Sequence, residues 1–311
     1  MEDFKKYIFA NHQVRKSREQ KHNFREWLQP CIQGMGYDCT FQEYKKNGKG
    51  INIVVGDPES AKVILTAHYD TQPSMLFPRF MLMSNWFLYI VSELMMILPF
   101  FLVDWIIVNV ATYLGVDSLW ANRIGGGVLL LMLWQTFYGI ANKHTVNDNT
   151  SGVITLLTIM KRLKPEHKDK VAFIFFDQEE IGLVGSRFFK RESRYNDMEI
   201  PLINFDCVSD GDNLTFIYKP QFKRTDNYEK LRVLIGNQQE GNKQLVFVSS
   251  KKMMYPSDQM IFANGIGVAA LKKSTVFGYY LDRIHTPLDT KYDQLNIDIL
   301  SKVTIDFIEK L

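Results

Sequence analysis

The sequence predicts an α/β fold: a three-layer sandwich with a mixed, largely parallel central sheet, carrying an inserted hydrophobic helical hairpin. Three observations lead there. Short apolar, β-branched runs at 62–67, 170–176 and 201–206 are long enough for strands and too short for helices. Amphipathic helical stretches alternate with them, as in a sheet covered on both faces. One long, nearly uncharged interval, 80–142, interrupts the alternation.

Taken in order, a helix over about 17–34 opens the chain, with Phe24, Trp27, Leu28 and Ile32 on one face. Strands follow near 37–44, 50–55 and 62–67. After the insert come helix 151–163, strand 170–176, helix 183–192 and strand 201–206. The remainder predicts strand 214–218, helix 226–237, strand 244–249, helix 257–264, strand 266–271 and a closing helix 296–310. No repeat or low-complexity tract appears. At 311 residues the chain has room for one large domain or two ordinary ones.

The insert has its own composition. From Phe80 to Asn122 the charges are Glu93, Asp104 and Asp117, and 124–142 has none. Trp86, Trp105, Trp120 and Trp134 fall inside it, with Tyr89, Tyr113 and Tyr138, as interfacial aromatics do. Two membrane crossings, 86–114 and 124–142, with 115–123 as the far loop, match a hydrocarbon layer of about 30 Å. Arg79, Lys143, Lys161 and Arg162 on the near side against Arg123 place the rest of the chain in the cytoplasm by the positive-inside rule. Glu93, Asp104 and Pro99 fit a soluble lid or dimer face as the other reading.

Five acidic or histidine-bearing segments sit where apolar runs give way to loops: His68-Tyr69-Asp70, Asp148-Asn149, Glu179-Glu180, Asp206 and His285. Their imidazoles and carboxylates suffice for two zinc ions, with one carboxylate left as a base. His68 ends a predicted strand, and Asp70 is spaced to accept its other ring N–H. The string Asn147 to Gly152 is rich in helix-capping residues, and it also offers Asp148 as a bridge between cations. Adjacent glutamates point apart, so one can ligate while its neighbour faces water. Each segment taken singly reads as structural; their conjunction does not.

These residues resemble the double-zinc exopeptidase family that contains secreted bacterial aminopeptidases, glutamate carboxypeptidases and glutaminyl cyclases. The shared pattern is H-x-D (His68 to Asp70), D-N-x-S-G (Asp148 to Gly152), E-E with G-S (Glu179-Glu180, Gly185-Ser186), a strand-end Asp206, and H-T-x-x-D-T (His285 to Thr290). It covers residues 15–75 and 143–311, so a discontinuous catalytic domain of 1–75 and 143–311 would surround the insert 76–142. The resemblance implies one zinc on His68 and Asp206, a second on Glu180 and His285, and Asp148 bridging them. It implies Glu179 as general base, with Asp70 and Asp289 orienting the ligands. The chain departs at Ser257-Asp258-Gln259, where the family often has Ser-Asp-His. Asp258 there supports the site or a substrate amine, or is a helix cap after Pro256; Arg283 is available to a substrate carboxylate. Peptides are the implied substrates and aminopeptidase the commonest activity. A single-zinc cyclase and a non-catalytic receptor are the alternatives, though none of the ligand positions is lost.

Composition narrows the rest. A net charge of +3 gives no case for nucleic acid, and nothing sets an oligomeric state. Cys31, Cys39 and Cys207 show no C-x-x-C spacing and suit a reducing compartment. The stretch Met1 to Lys6 lacks a signal-peptide core. The sequons at Asn149 and Asn213 read as coincidences, the first because a glycan would block the site. Together these features describe an integral membrane protein in contact with the lipid bilayer.

Overall fold

In the computed structural model, which describes residues 4–45, 49–236 and 239–311, the alternation becomes one mixed sheet with helices on both faces. The chain opens with α1 (Phe4–Asn11) and α2 (Arg18–Gly34), the latter begun by a capping box between Ser17 and Gln20. Strands β1 (Cys39–Tyr44), β2 (Gly50–Val55), β3 (Val63–His68) and the two-residue β4 (Met81–Leu82) follow. Next come α3 (Trp86–Tyr113), α4 (Ser118–Tyr138), α5 (Gly152–Arg162), β5 (Val171–Phe176), α6 (Val184–Glu192) and β6 (Leu202–Phe205). The rest is β7 (Asn213–Tyr218), α7 (Asn227–Gly236), β8 (Gln239–Glu240), β9 (Lys243–Ser249), β10 (Gly265–Ser274), β11 (Gly278–Leu281) and α8 (Gln294–Glu309).

The sheet runs β1-β2-β5-β3-β6-β10-β7-β9-β8. Its centre, β5-β3-β6-β10, is parallel. The β2–β5 and β10–β7 pairs on either side are antiparallel. The central strands β3, β5 and β6 are buried throughout, and their side chains alternate between the two faces with period two. Val63, Leu65, Phe173 and Phe175 face the side covered by α2, α5 and α8, whereas Ile64, Ala172, Ile174 and Phe176 face α6. Parallel strands deliver all their carboxyl ends to one edge. Register then aligns the ends: His68 pairs with Phe176, and Thr66 with Asn204, two residues before Asp206.

Several boundaries depart from the sequence reading. The predicted helix 257–264 is a single 3-10 turn, Asp258–Ile261, because Asn264 is already held to Leu202 at the start of β10. The helix predicted to 237 is seen to Gly236; residue 237 lies outside the described residues, as do residues 1–3 of the N-terminal stretch. α1, β4, β8 and β11 had no predicted counterpart. None of the three cysteines forms a disulfide among the described residues.

The insert is the largest correction. α4 begins at Ser118, capped by the Asp117 carboxylate on the N–H of Leu119, so the far turn is 114–117 rather than 115–123. It ends at Tyr138, and Asn142 is a buried loop residue donating to the carbonyls of His144 and Thr286. α3 alone, among the described residues, is long and apolar enough to cross a membrane. Of its residues, Ser92 and Phe100 are buried, while Trp86 is 65% and Trp105 62% exposed. α3 and α4 pack on each other, with a close approach at Gly125, where a Cβ would meet the Asp104 carboxylate at 2.5 Å. The chain enters and leaves through a neck: Pro73 bridges Ala141, and the Ser74 N–H donates to the Ile140 carbonyl. The Met75 N–H, beside that neck, donates to the carbonyl of His285.

The flanking charges also differ from their predicted role. Arg79 is enclosed in the site, and Lys161 and Arg162 occupy the far end of α5, Arg162 paired with Asp298. Lys143 is the one of the four that remains beside the neck.

Candidate metal centre

The carboxyl edge of the parallel strands gathers Asp148, Glu179, Glu180, Asp206 and His285 around one cavity of about 320 Å3, with His68 against Asp148 and Asp206. Asp148 is central to them. One of its oxygens lies 3.2 Å from Nε2 of His68, and the other 2.7 Å from Nε2 of His285. On the His68 side, Asp206 Oδ1 is 3.6 Å from the same ring nitrogen; on the His285 side, Glu180 Oε2 is 3.5 Å away. Three sets of donors, His68-Asp148-Asp206, Asp148-Glu180-His285 and His68-Glu179-Glu180, each fall within 4.8 Å of one another. Asp148 is the residue that the first two share.

The loop below Asp148 satisfies both sequence readings, on different residues. Asn149 does the capping, accepting the Gly152 N–H and donating to the Phe205 carbonyl. Asp148 is thereby left to face the cavity. Gly152 is required there, since a Cβ would stand 2.3 Å from the Phe205 carbonyl oxygen. Asp289 was expected to orient His285. It instead accepts the backbone N–H groups of Asn147 (2.7 Å) and Asp148 (3.0 Å), fixing the shared ligand. Asp70 divides similarly. It stands 3.5 Å from Nδ1 of His68, beyond a well-formed hydrogen bond, and accepts the backbone N–H groups of Glu179 and Glu180.

Two further expectations shift. Asp258 is fully buried and does not line the cavity. Arg283 lies outside it too, 3.6 Å from Asp210. The arginine at the cavity is Arg79, whose Nη1 is 2.8 Å from His285 Nδ1 and whose Nη2 binds both oxygens of Glu93 on α3. Arg15, wholly buried, donates to the Tyr69 and His12 carbonyls and to Thr150, beneath Asp70 and Asp148. Lys21 forms a buried pair with Asp177 at 2.7 Å. The sequence carries no mark of these roles: Arg79 reads there as a membrane-flanking charge.

The electrostatics follow from crowding. Burial pushes the carboxyls of Glu179 and Glu180 well above their ordinary range, and neighbouring carboxylates push them further. Burial pulls the His68 imidazolium down, but Asp148, Asp206 and Asp70 outweigh it and hold it well above its usual value. His285 goes the other way: burial prevails, with Arg79 adding to it. Burial opposes ionisation of Asp148, yet the two imidazoles keep its carboxyl far below normal.

These residues fit metal ions. His68 Nδ1, Glu180 Oε1 and Asp206 Oδ1 are buried without a hydrogen-bond partner, and the Glu180 side chain is only 7% exposed. Packed carboxylates with orphaned oxygens need cations, and imidazole with carboxylate is a donor set that suits zinc. The backbone is bent to make the cluster. Gln178, Leu183, Cys207 and His285 all have φ between 55° and 62°, each at a cost of about 1–2 kcal/mol outside glycine. All four lie at or beside the ligands, where such conformations concentrate.

Comparison with known proteins gives the family and the fold. The model described as peptidase family M28 matches residues 134–307. A Zn-dependent exopeptidase from Parabacteroides distasonis superposes with a TM-score of 0.59 at 16% identity, over 97% of each chain. A Porphyromonas gingivalis glutaminyl cyclase gives 0.60 at 14% identity, over 98% of this chain and 95% of that one. A leucine aminopeptidase precursor from Bacteroides thetaiotaomicron gives 0.58 at 16%, over 99% and 94%. At such identities the likeness establishes the fold. No curated protein matches the chain.

Proposed function

Because the chain belongs to peptidase family M28, we propose that it is a two-zinc exopeptidase, of aminopeptidase type, anchored in a membrane by α3 and α4. The observation that carries the reading is Asp148, whose two oxygens face separate imidazoles. Asp148 would hold both ions, His68 and Asp206 completing one site and Glu180 and His285 the other. Bound there, the ions supply Lewis acidity to a scissile carbonyl and lower the pKa of water towards about 7.

The protein's own groups do the remaining work. Glu179 takes a proton from the attacking water and returns it to the leaving amine as the C–N bond breaks. Asp70 fixes the turn that aims Glu179, through the two backbone N–H groups it accepts. Asp289 holds Asp148 in the same way. Metal content and peptide hydrolysis, measured on the same purified sample, test this reading. The resemblance to glutaminyl cyclases supports a second reading, a single-zinc acyltransferase, which one bound metal and cyclisation of N-terminal glutamine would favour.

The membrane reading rests on exposure. α3 spans about 42 Å and α4 about 31 Å at 1.5 Å per residue, and the apolar side chains of both face outward. Glu93 is paired with Arg79 and Asp104 faces Gly125, so both acids in α3 have a place inside the protein. A cytoplasmic catalytic domain rests on Lys143 beside the neck. Cysteines introduced at 114–117 are then labelled by an impermeant reagent from outside whole cells; protection there until lysis reverses the orientation.

A further inference from the structure

We propose that Arg79 binds the free α-carboxylate of the substrate, making dipeptides and similarly short peptides with apolar side chains the preferred class. This deepens the exopeptidase reading and rests on it. Among the described residues Arg79 is the one lysine or arginine lining the cavity. Its side chain is 13% exposed and cannot swing away freely, because Glu93 holds Nη2 at 3.1 and 3.2 Å. Nε is buried and has no hydrogen-bond partner. Nη1 meets Nδ1 of His285 at 2.8 Å. With Nη2 taken by Glu93, Nη1 still carries two N–H groups, and its contact with His285 uses at most one of them, which leaves the other for a carboxylate oxygen beside the metal ligands.

Reach and lining set the ligand's size. Arg79 stands against the ring whose other nitrogen faces Asp148, and consecutive Cα atoms are about 3.8 Å apart. A carboxylate one or two residues beyond the scissile bond is therefore the one within range. The acids lining the cavity, Asp148, Glu179, Glu180 and Asp206, are all used in the centre itself, and Asp258 does not reach it. No lining carboxylate is spare for a substrate amine, so the cavity distinguishes the carboxyl end. Met81, Met83, Tyr89, Leu281 and Ile284 form its apolar wall. Tyr89 and Glu93 both belong to α3, which makes the apolar helix part of the substrate site.

The test uses the zinc-loaded full chain in detergent, with leucyl-leucine and its carboxyl-terminal amide as probes. Wild type is expected to favour the free acid in kcat/KM by on the order of 10- to 100-fold. Arg79→Gln should lower kcat/KM for the free acid more than for the amide and so remove most of that preference, with zinc measured on the same sample to separate any loss through His285, and Arg79→Lys should restore part of it. Calorimetric binding of the same pair to Glu179→Gln protein reads the contact without turnover. If wild type hydrolyses neither peptide, the exopeptidase reading fails, and the binding preference still decides the role of Arg79. Equal treatment of acid and amide, equal losses for both in Arg79→Gln, or no binding of either overturns the proposal.

Discussion

Glu179 is the group whose loss separates chemistry from assembly. Glu179→Gln keeps the size and the backbone bonds to Asp70 but removes the proton acceptor. Turnover is expected to drop by about 10²- to 10⁴-fold with zinc retained, as measured by steady-state rates and metal analysis. Loss of metal with an unchanged rate per loaded site would instead make Glu179 a ligand. Residues at strand ends, such as His68 and Asp206, were legible in the sequence because an apolar run announces the strand and the residue after it must emerge at the edge. Arg15 and Arg79 were not. Their roles depend on partners 135 and 206 positions away, Thr150 and His285, and no local pattern encodes such a meeting. Asp289, expected from sequence to orient His285, accepts the backbone N–H groups of Asn147 and Asp148 instead, a partner that sequence proximity to His285 does not reveal.

Among the elements, the strands of the central sheet were the most legible: the ends of β3, β5 and β6 fall within a residue of the prediction, while β10 runs three residues further, to Ser274. The insert was legible as hydrophobic and not in its details. Asp117 caps α4 earlier than hydropathy suggests, and β4 lies within the predicted insert yet pairs with β11 of the sheet extension. That pairing changes where the insert can be cut. Replacing 86–138 by a short Gly/Ser linker, rather than 76–141, spares Arg79 and β4. The shortened protein is expected to leave the membrane fraction, bind zinc as the parent does, and lose activity through the absence of Tyr89 from the cavity wall and of Glu93 from Arg79. Retention in carbonate-washed membranes would show that α3 and α4 are not the anchor. Within the insert, Gly125→Leu should separate α3 from α4 at Asp104 and lower the thermal midpoint in detergent by several degrees; an unchanged midpoint would mean that the two helices do not rely on this contact.

At the scale of the whole molecule, the crowded acids link metal, pH and stability. Burial raises the Asp258 carboxyl to about 7 and the Asp289 carboxyl to about 8, against 3.8 for a free aspartate. The folded protein therefore holds more protons than the unfolded chain between about pH 4 and 8. Stability of chelator-treated protein falls as pH rises through that window, by up to about 1.4 kcal/mol per unit for each group. Zinc, which binds ionised ligands, adds more stability at pH 8 than at pH 5. Denaturant midpoints at both pH values, with and without chelator, check the sign. A chelated protein more stable at pH 8 would contradict it.

The shared carboxylate of Asp148 is the feature from which the two-metal account follows, and metal counting by native mass spectrometry addresses it most directly. The account predicts about two zinc ions per chain in wild type, both lost in Asp148→Ala and about one retained in His68→Ala. One zinc in fully loaded wild type, or an Asp148→Ala protein that still holds one ion tightly, would contradict it.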